Sequence, residues 1–242
     1  MRVCAAQFRS MAGDVRLNIA RHIEFIACAA AERADLIFFP ELSLTGYEPR
    51  LAQGLALDAK DERLEVFQTC SEQHGLTIGV GMPLAASPGV RIGMVWFAPG
   101  EGRRIYAKQQ LHADELPYFV PGDGQLVMES CGRRLAPAIC YESLQMSHAD
   151  GAAALWAGVY LASVAKPAAA LAKAMLHYPA VARKHGMFVI MADGVGPSDD
   201  FVSVGQSAAW NARGELLAQM DAQSEGLLLV DIAGESARWV GM

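Results

Sequence analysis

The chain is poor in paired cysteines, lysines and long apolar runs. Its five cysteines (Cys4, Cys28, Cys70, Cys131 and Cys140) are odd in number and form no CxxC pair. That excludes a disulfide framework and a cysteine-rich zinc site, and it leaves reduced thiols free for chemistry. The six histidines show no HExxH spacing, so no metal is expected. Basic side chains number 20 against 26 acidic ones, a formal charge of −6, the wrong sign for phosphate-backbone binding. No nucleic-acid partner is expected. No apolar run reaches the roughly 18 residues of a membrane span. Phe25 to Ala31 is short, and Ala152 to Ala165 is interrupted by Gly158 and Ser163 and stopped by Lys166. The apolar start ends by Gln7 and Arg9, too soon for a signal-peptide core. A cytoplasmic protein off the membrane is expected.

What is present is a chain of 242 residues, 52% hydrophobic and 19% charged, which suits a buried core and excludes intrinsic disorder. No linker, repeat or biased stretch divides it, so one domain is expected over residues 1–242. Val3–Phe8, Leu36–Phe39, Thr77–Met82, Gly93–Phe97 and Arg104–Ala107 read as strands, the last two joined through Ala98-Pro99-Gly100-Glu101-Gly102. Further strands are predicted at Leu126–Glu129, Arg134–Cys140, Val159–Val164, Met187–Ala192, Val204–Trp210, Leu216–Met220 and Gly226–Asp231. Ile19, Ile23, Ile26 and Ala30 recur at helical spacing, which predicts a helix over Asp14–Glu32 with those residues inward. Helices are also predicted over Asp61–His74, stopped by Gly75, and over about Ala168–His185, where Pro179 predicts a kink or a split. Strands alternating with helices, with hairpins between some, indicate a layered α/β domain with one mixed sheet or two stacked sheets. Gly79-Val80-Gly81 lacks the third glycine of a dinucleotide fingerprint and no P-loop occurs, so no nucleotide cofactor is expected. These glycines are read as allowing close strand packing.

Three reactive side chains stand directly after predicted strands: Glu41, Lys108 and Cys140. Strand ends in layered α/β folds are where distant parts of a chain converge on one crevice. A strand ending at Cys140, with Glu142-Ser143 opening a short helix, makes the sharp turn that exposes a nucleophile beside free backbone N–H groups; the alternative is a small buried core thiol. Glu41, in Phe39-Pro40-Glu41-Leu42, is either a proton acceptor in an apolar setting or a turn-start carboxylate. Lys108, one of only five lysines, is either a cation for a developing oxyanion or a surface residue.

Together these residues resemble the nitrilase superfamily of carbon-nitrogen hydrolases, whose motifs surround a glutamate, a lysine and a cysteine in that order. The matching segments are Phe39-Pro40-Glu41-Leu42-Ser43-Leu44-Thr45-Gly46-Tyr47, Tyr106-Ala107-Lys108 with Tyr118-Phe119-Val120-Pro121-Gly122, and Ile139-Cys140-Tyr141-Glu142. The resemblance covers nearly the whole chain. It implies a four-layer αββα sandwich, two mixed sheets face to face with helices outside, and a homodimer or higher homo-oligomer. It implies cofactor-free, metal-free hydrolysis of a small-molecule amide or nitrile, with Glu41 as general base, Cys140 as nucleophile and Lys108 as electrostatic stabiliser. Glu115 matches an additional family glutamate that orients substrate or supports the lysine; Tyr47, Tyr118, Tyr141 and Ser163 are the implied substrate-binding or supporting residues.

A small aliphatic amide is the expected substrate, with nitrile or carbamoyl hydrolysis by the same triad as alternatives. The chain departs from the family pattern after Glu142, where Ser143-Leu144-Gln145-Met146-Ser147-His148 replaces the usual arginine-containing stretch. It departs again at Ala162-Ser163-Val164-Ala165-Lys166 and at Asp193, an asparagine in many members. The missing arginine argues against a dicarboxylate monoamide, unless Arg50 or Lys166 replaces it. Two other classes compete: a cysteine–histidine hydrolase using His148, His177 or His185, and a non-catalytic binding or scaffold protein of the same fold.

Overall fold

The computed structural model describes residues 1–242. The first half of the chain runs through Arg2–Gln7 (β1), Val15–Ala31 (α1), Leu36–Phe38 (β2), Ala52–Leu55 (α2), Glu65–His74 (α3), Thr77–Ala85 (β3), Val90–Phe97 (β4) and Arg104–Ala107 (β5). Met128–Ser130 (β6), Arg133–Ile139 (β7), Met146–Ala154 (α4), Val159–Val164 (β8), Ala168–His185 (α5) and Phe188–Asp193 (β9) follow. Val195–Ser198 (β10), Phe201–Val204 (β11), Ala208–Trp210 (β12), Leu216–Gln219 (β13), Gly226–Asp231 (β14) and Ser236–Gly241 (β15) close the chain. One sheet has seven strands in the order β15-β14-β1-β2-β3-β4-β5 and the other six in the order β13-β12-β9-β8-β7-β6; β10 and β11 form a separate ribbon.

Strand alternation explains the layers, because successive side chains point to opposite faces. In β1, Val3 and Ala5 enter the core between the sheets, whereas Cys4 and Ala6 join Phe25, Ile26 and Phe67 under α1 and α3. In the second sheet Leu161 and Ile190 face inward, whereas Tyr160, Ala162 and Met191 pack outward under α4 and α5. Three apolar layers thus separate helix, sheet, sheet and helix, which is the αββα sandwich. No helix is long and apolar enough to cross a membrane.

In the first sheet β1, β2 and β3 are parallel, and β5 regains their direction after antiparallel β4. In the second, β7, β8 and β9 are parallel. The residues that follow β2, β5, β7 and β8 therefore leave from strand carboxyl ends.

Some local expectations shift. The buried face of α1 carries Val15, Asn18, His22, Phe25, Ile26 and Ala29, while Ile19 and Ile23 are only half-buried. Two polar residues are accepted inside because their bonds are satisfied: Asn18 donates to the Met11 and Leu44 carbonyls, and His22 bonds the Asn18 carbonyl and Ser43 Oγ. The predicted strand Val204–Trp210 divides into β11 and β12 around Gly205, which has φ +58°. Helix α5 runs unbroken through Pro179, held by Leu171, Ala174, Tyr178, Val181 and Ala182 against the sheet.

Candidate active site

The turn after β2 carries Glu41. It is seated directly on β3: a Cβ at Gly81 would lie 2.5 Å from the Pro40 carbonyl oxygen and 2.8 Å from the Leu42 nitrogen. Gly79 is the same kind of close contact, beneath the Trp96 ring, as the packing reading of these glycines predicts. Leu42 takes a positive φ of 53°, so the turn is tight as well as close-packed. The carboxyl of Glu41 is buried, and Oε1 accepts a hydrogen bond of 2.7 Å from Lys108 Nζ.

Lys108 follows β5 and is fully buried, so the surface alternative is overturned. Besides Glu41, its Nζ reaches Glu115 Oε1 at 2.6 Å. Glu115 is itself fixed by Tyr47, whose hydroxyl donates to Oε1 (3.1 Å), and by the His112 backbone N–H, which donates to Oε2 (2.7 Å). Burial works against the Lys108 charge, but Glu41 and Glu115 outweigh it and hold the ammonium protonated above the usual lysine range. Burial raises Glu41 to about 7, opposed chiefly by the Lys108 charge. Glu41 Oε2 is buried without a hydrogen-bond partner, a free lone-pair site on the candidate base.

Cys140 stands at the turn after β7 with φ 44°, left-handed backbone that costs a non-glycine residue about 1–3 kcal/mol and recurs where a side chain is presented for function. Its amide still extends the β7–β8 ladder, donating to the Ser163 carbonyl (3.0 Å), and a 3₁₀ turn over Glu142–Leu144 follows. The Tyr141 N–H has no backbone acceptor. Sγ lies 3.6 Å from the Ala165 carbonyl oxygen and 3.8 Å from Lys166 Nζ. Burial pushes the thiol up to about 12, the Glu41 carboxylate adds to the rise, and Lys166 and Lys108 pull it down.

A cavity of about 280 Å³ opens over this sulfur, with Tyr47, Glu115, Tyr141, Ala165, Lys166 and Phe201 in its wall. The structure thus brings Glu41, Lys108, Cys140, Glu115, Tyr47 and Tyr141 together. Ser163 is buried beneath them, its Oγ donating to the Phe39 carbonyl (2.8 Å), so it ties β8 to the Glu41 turn without facing the cavity. Tyr118 does not belong to the cavity: its ring is 40% exposed, and its backbone N–H donates to the Glu115 carbonyl. Arg50 lies outside the cavity wall and pairs with Asp199.

The three histidines of the cysteine–histidine reading, His148, His177 and His185, lie outside the cavity wall. His148 is held between the Tyr160 hydroxyl (2.7 Å) and the Tyr106 hydroxyl (2.8 Å), and His185 approaches Asp150. His177 is partly buried beside Lys173.

Two residues carry more than the sequence indicated. Glu142, read there as a helix opener and as the end of the cysteine motif but given no role, is fully buried and binds both flanks of the site. Its Oε1 accepts from the Ile139 N–H (2.8 Å) and the Tyr106 hydroxyl (2.6 Å), and its Oε2 accepts from the Gln109 N–H (2.7 Å). Lys166 is the other, and its signal was the same as that of the triad: a charged residue just beyond a buried strand, β8.

Comparison with known proteins agrees with this geometry. The family model for carbon-nitrogen hydrolases matches residues 2–240. An amidase from Nesterenkonia sp. AN1 superposes with a TM-score of 0.88 at 24% identity, over 96% of this chain and 92% of its own. A variant of that amidase, carrying the acetamide moiety of fluoroacetamide on its active-site cysteine, superposes with a TM-score of 0.87 at 25% identity, covering 96% and 90%. Among curated proteins, the glutamine-dependent NAD(+) synthetase of Thermotoga maritima is 27% identical over 96% of this chain and 42% of its own length. That of Acinetobacter baylyi is 26% identical over 98% and 45%. The chain spans less than half the length of these curated relatives. With a family match from one end to the other and a nitrilase-type sandwich beneath it, the chain belongs to the carbon-nitrogen hydrolase family.

Proposed function

We propose that the protein hydrolyses a small primary amide to the acid and ammonia through a thioester on Cys140. The observation that carries this is a thiol in the wall of a cavity, with Glu115 and Tyr47 beside it in that wall and a buried carboxylate and ammonium, Glu41 and Lys108, linked to Glu115 behind it. Glu41 takes the thiol proton and the sulfur attacks the carbonyl carbon. The oxyanion is held by the Lys108 ammonium and the Tyr141 N–H. Collapse breaks the C–N bond, Glu41 returns the proton to the departing ammonia, and Cys140 keeps the acyl group. Glu41 then takes a proton from water, whose oxygen attacks the thioester, and the acid leaves as the thiol is restored. Glu115 and Tyr47 keep Lys108 aimed, and the cavity volume suits a short acyl chain.

A second reading has its own support. The curated relatives are named as glutamine-dependent, and the side-chain amide of glutamine is itself a primary amide, so a glutaminase activity that supplies ammonia is the competing assignment. Intact-protein mass spectrometry of the parent protein, acid-quenched during turnover of a panel of acetamide, butyramide and L-glutamine, separates them. Accumulation of the matching acyl mass on Cys140 is expected, and the panel member that gives it identifies the acyl half. Absence of any adduct or turnover across the panel, extended to nitriles and carbamoyl compounds, refutes the assignment.

A further inference from the structure

Two buried ammonium groups flank the sulfur, and they are not equivalent. Lys108 is gripped by two carboxylates at 2.7 and 2.6 Å, so its charge is neutralised at contact. Lys166, 1% exposed, has its backbone N–H on Asp193 Oδ1 (3.0 Å). Its Nζ forms one hydrogen bond, toward Cys140 Sγ at 3.8 Å, and joins no ion pair. An ammonium donates most strongly to a charged acceptor, and the sulfur beside this one becomes such an acceptor only as the thiolate.

We propose that Lys166 is a further catalytic residue, whose ammonium donates an N–H to the Cys140 sulfur and stabilises it as the thiolate, leaving Lys108 to serve the carbonyl oxygen. The inference rests on Cys140 being the nucleophile. The thiol proton goes to Glu41, Lys166 keeps all of its protons throughout, and its contact with the sulfur weakens in the neutral thioester and returns when the thiolate leaves. Both the attack and the departure of the thiolate in the second half-reaction gain from it. A substrate carboxylate is the wrong partner: a carbonyl poised for attack sits roughly 3–3.5 Å from the nucleophile, so it occupies the same space that Lys166 faces.

The surroundings agree. Burial works against the charge on Lys166, yet Cys140, Tyr178, Asp193 and Glu41 together hold it protonated above the usual lysine range, and His177 also feels it. Of the two lysines, Lys166 has the larger lowering effect on the thiol. Asp193 Oδ2 has no hydrogen-bond partner, so the lysine is not drawn off the sulfur by a contact there.

The test is the rate at which iodoacetamide alkylates Cys140 between about pH 6 and pH 10, since only the thiolate reacts. Peptide mass spectrometry reads the rate, and exposed Cys131 serves as internal reference. Lys166→Met removes the charge at similar volume. Lys166→Met/Asp193→Asn removes the acidic neighbour as well, and it decides the matter should the single variant fail to fold. The rate at Cys140 is expected to fall about tenfold or more at a given pH, its rise shifting up by about one pH unit, with Cys131 unchanged. A Cys140 rate within about twofold of the parent in a folded variant overturns the inference, even with amide hydrolysis lost, because the lysine then serves substrate or oxyanion. A parent Cys140 that takes up no label at about pH 10 even after Cys131 is labelled to completion overturns the nucleophile assignment itself.

Discussion

At the scale of single residues, the site is an arrangement of buried charges whose protonation sets when it works. The Glu41 carboxyl is raised to about 7, mainly by burial, and a general base must be ionised to accept a proton. The sign follows: the competent form grows as pH rises through neutrality. kcat/KM on the amide is expected to climb with unit slope below about pH 7 and to level off above it. A profile flat through that range argues against Glu41 as the base. Lys108→Met is expected to lower kcat by about 100 to 1000-fold through loss of the oxyanion partner. The same change leaves Glu41 and Glu115 buried without a counter-charge, a loss of about 3–5 kcal/mol in chemical denaturation. Full activity in that variant would remove Lys108 from the mechanism. These residues were legible because each is a reactive side chain directly beyond an apolar strand. Tyr118 misled because its neighbours match a motif: its backbone serves the Glu115 turn while the ring faces solvent. Glu142 was illegible because its value lies in contacts with Ile139 and Gln109, which only folding brings together.

At the scale of elements, buried strands announced themselves as short apolar runs, and Val159–Val164 coincides with the observed strand; Arg104–Ala107 also coincides, although it is a half-exposed edge strand. What escaped notice lacked that signal. Helix α4 is the sequence Met146-Ser147-His148-Ala149-Asp150-Gly151-Ala152-Ala153-Ala154, small, glycine-containing and without a strong apolar stripe. Strand β10 contains Gly196 and Pro197, and β15 is a largely exposed edge strand that exists through its pairing with β14. The inward face of α1 was misassigned because periodicity counts apolar side chains and cannot see a satisfied histidine or asparagine.

The β3 strand is also a positioning element. With the Pro40 oxygen 2.5 Å from where a Gly81 Cβ would stand, Gly81→Ala must displace backbone. A cost of about 1–3 kcal/mol is expected, together with a kcat loss larger than the KM change, since the Glu41 turn moves and the cavity wall does not. Differential scanning calorimetry and steady-state kinetics check both. An unchanged melting temperature and rate would show that the turn yields freely.

At the scale of the whole molecule, the two sheets were foreseen as stacked only through the family resemblance; alternation alone left one mixed sheet equally open. The reason is that which sheet a strand joins depends on long-range pairing, such as β1 with β14 from opposite ends of the chain. The stacked arrangement makes the layer between the sheets one of three apolar layers that hold the molecule together. Leu161 lies fully buried there, so Leu161→Ala is expected to cost about 2–5 kcal/mol. In a chain of this size each kcal/mol lowers the melting temperature by about 2–4 °C. A loss below about 1 kcal/mol, read by urea denaturation, would mean that the layer is loosely filled.

Glu142 gives this scaffold a mechanical property. One carboxylate anchors the strand end before Cys140 and the segment after Lys108. Nucleophile and cation therefore share a common mount, and neither drifts without carrying the other along. Heat or denaturant disturbs the pair as a unit, so chemical competence should vanish as a step rather than fade by degrees.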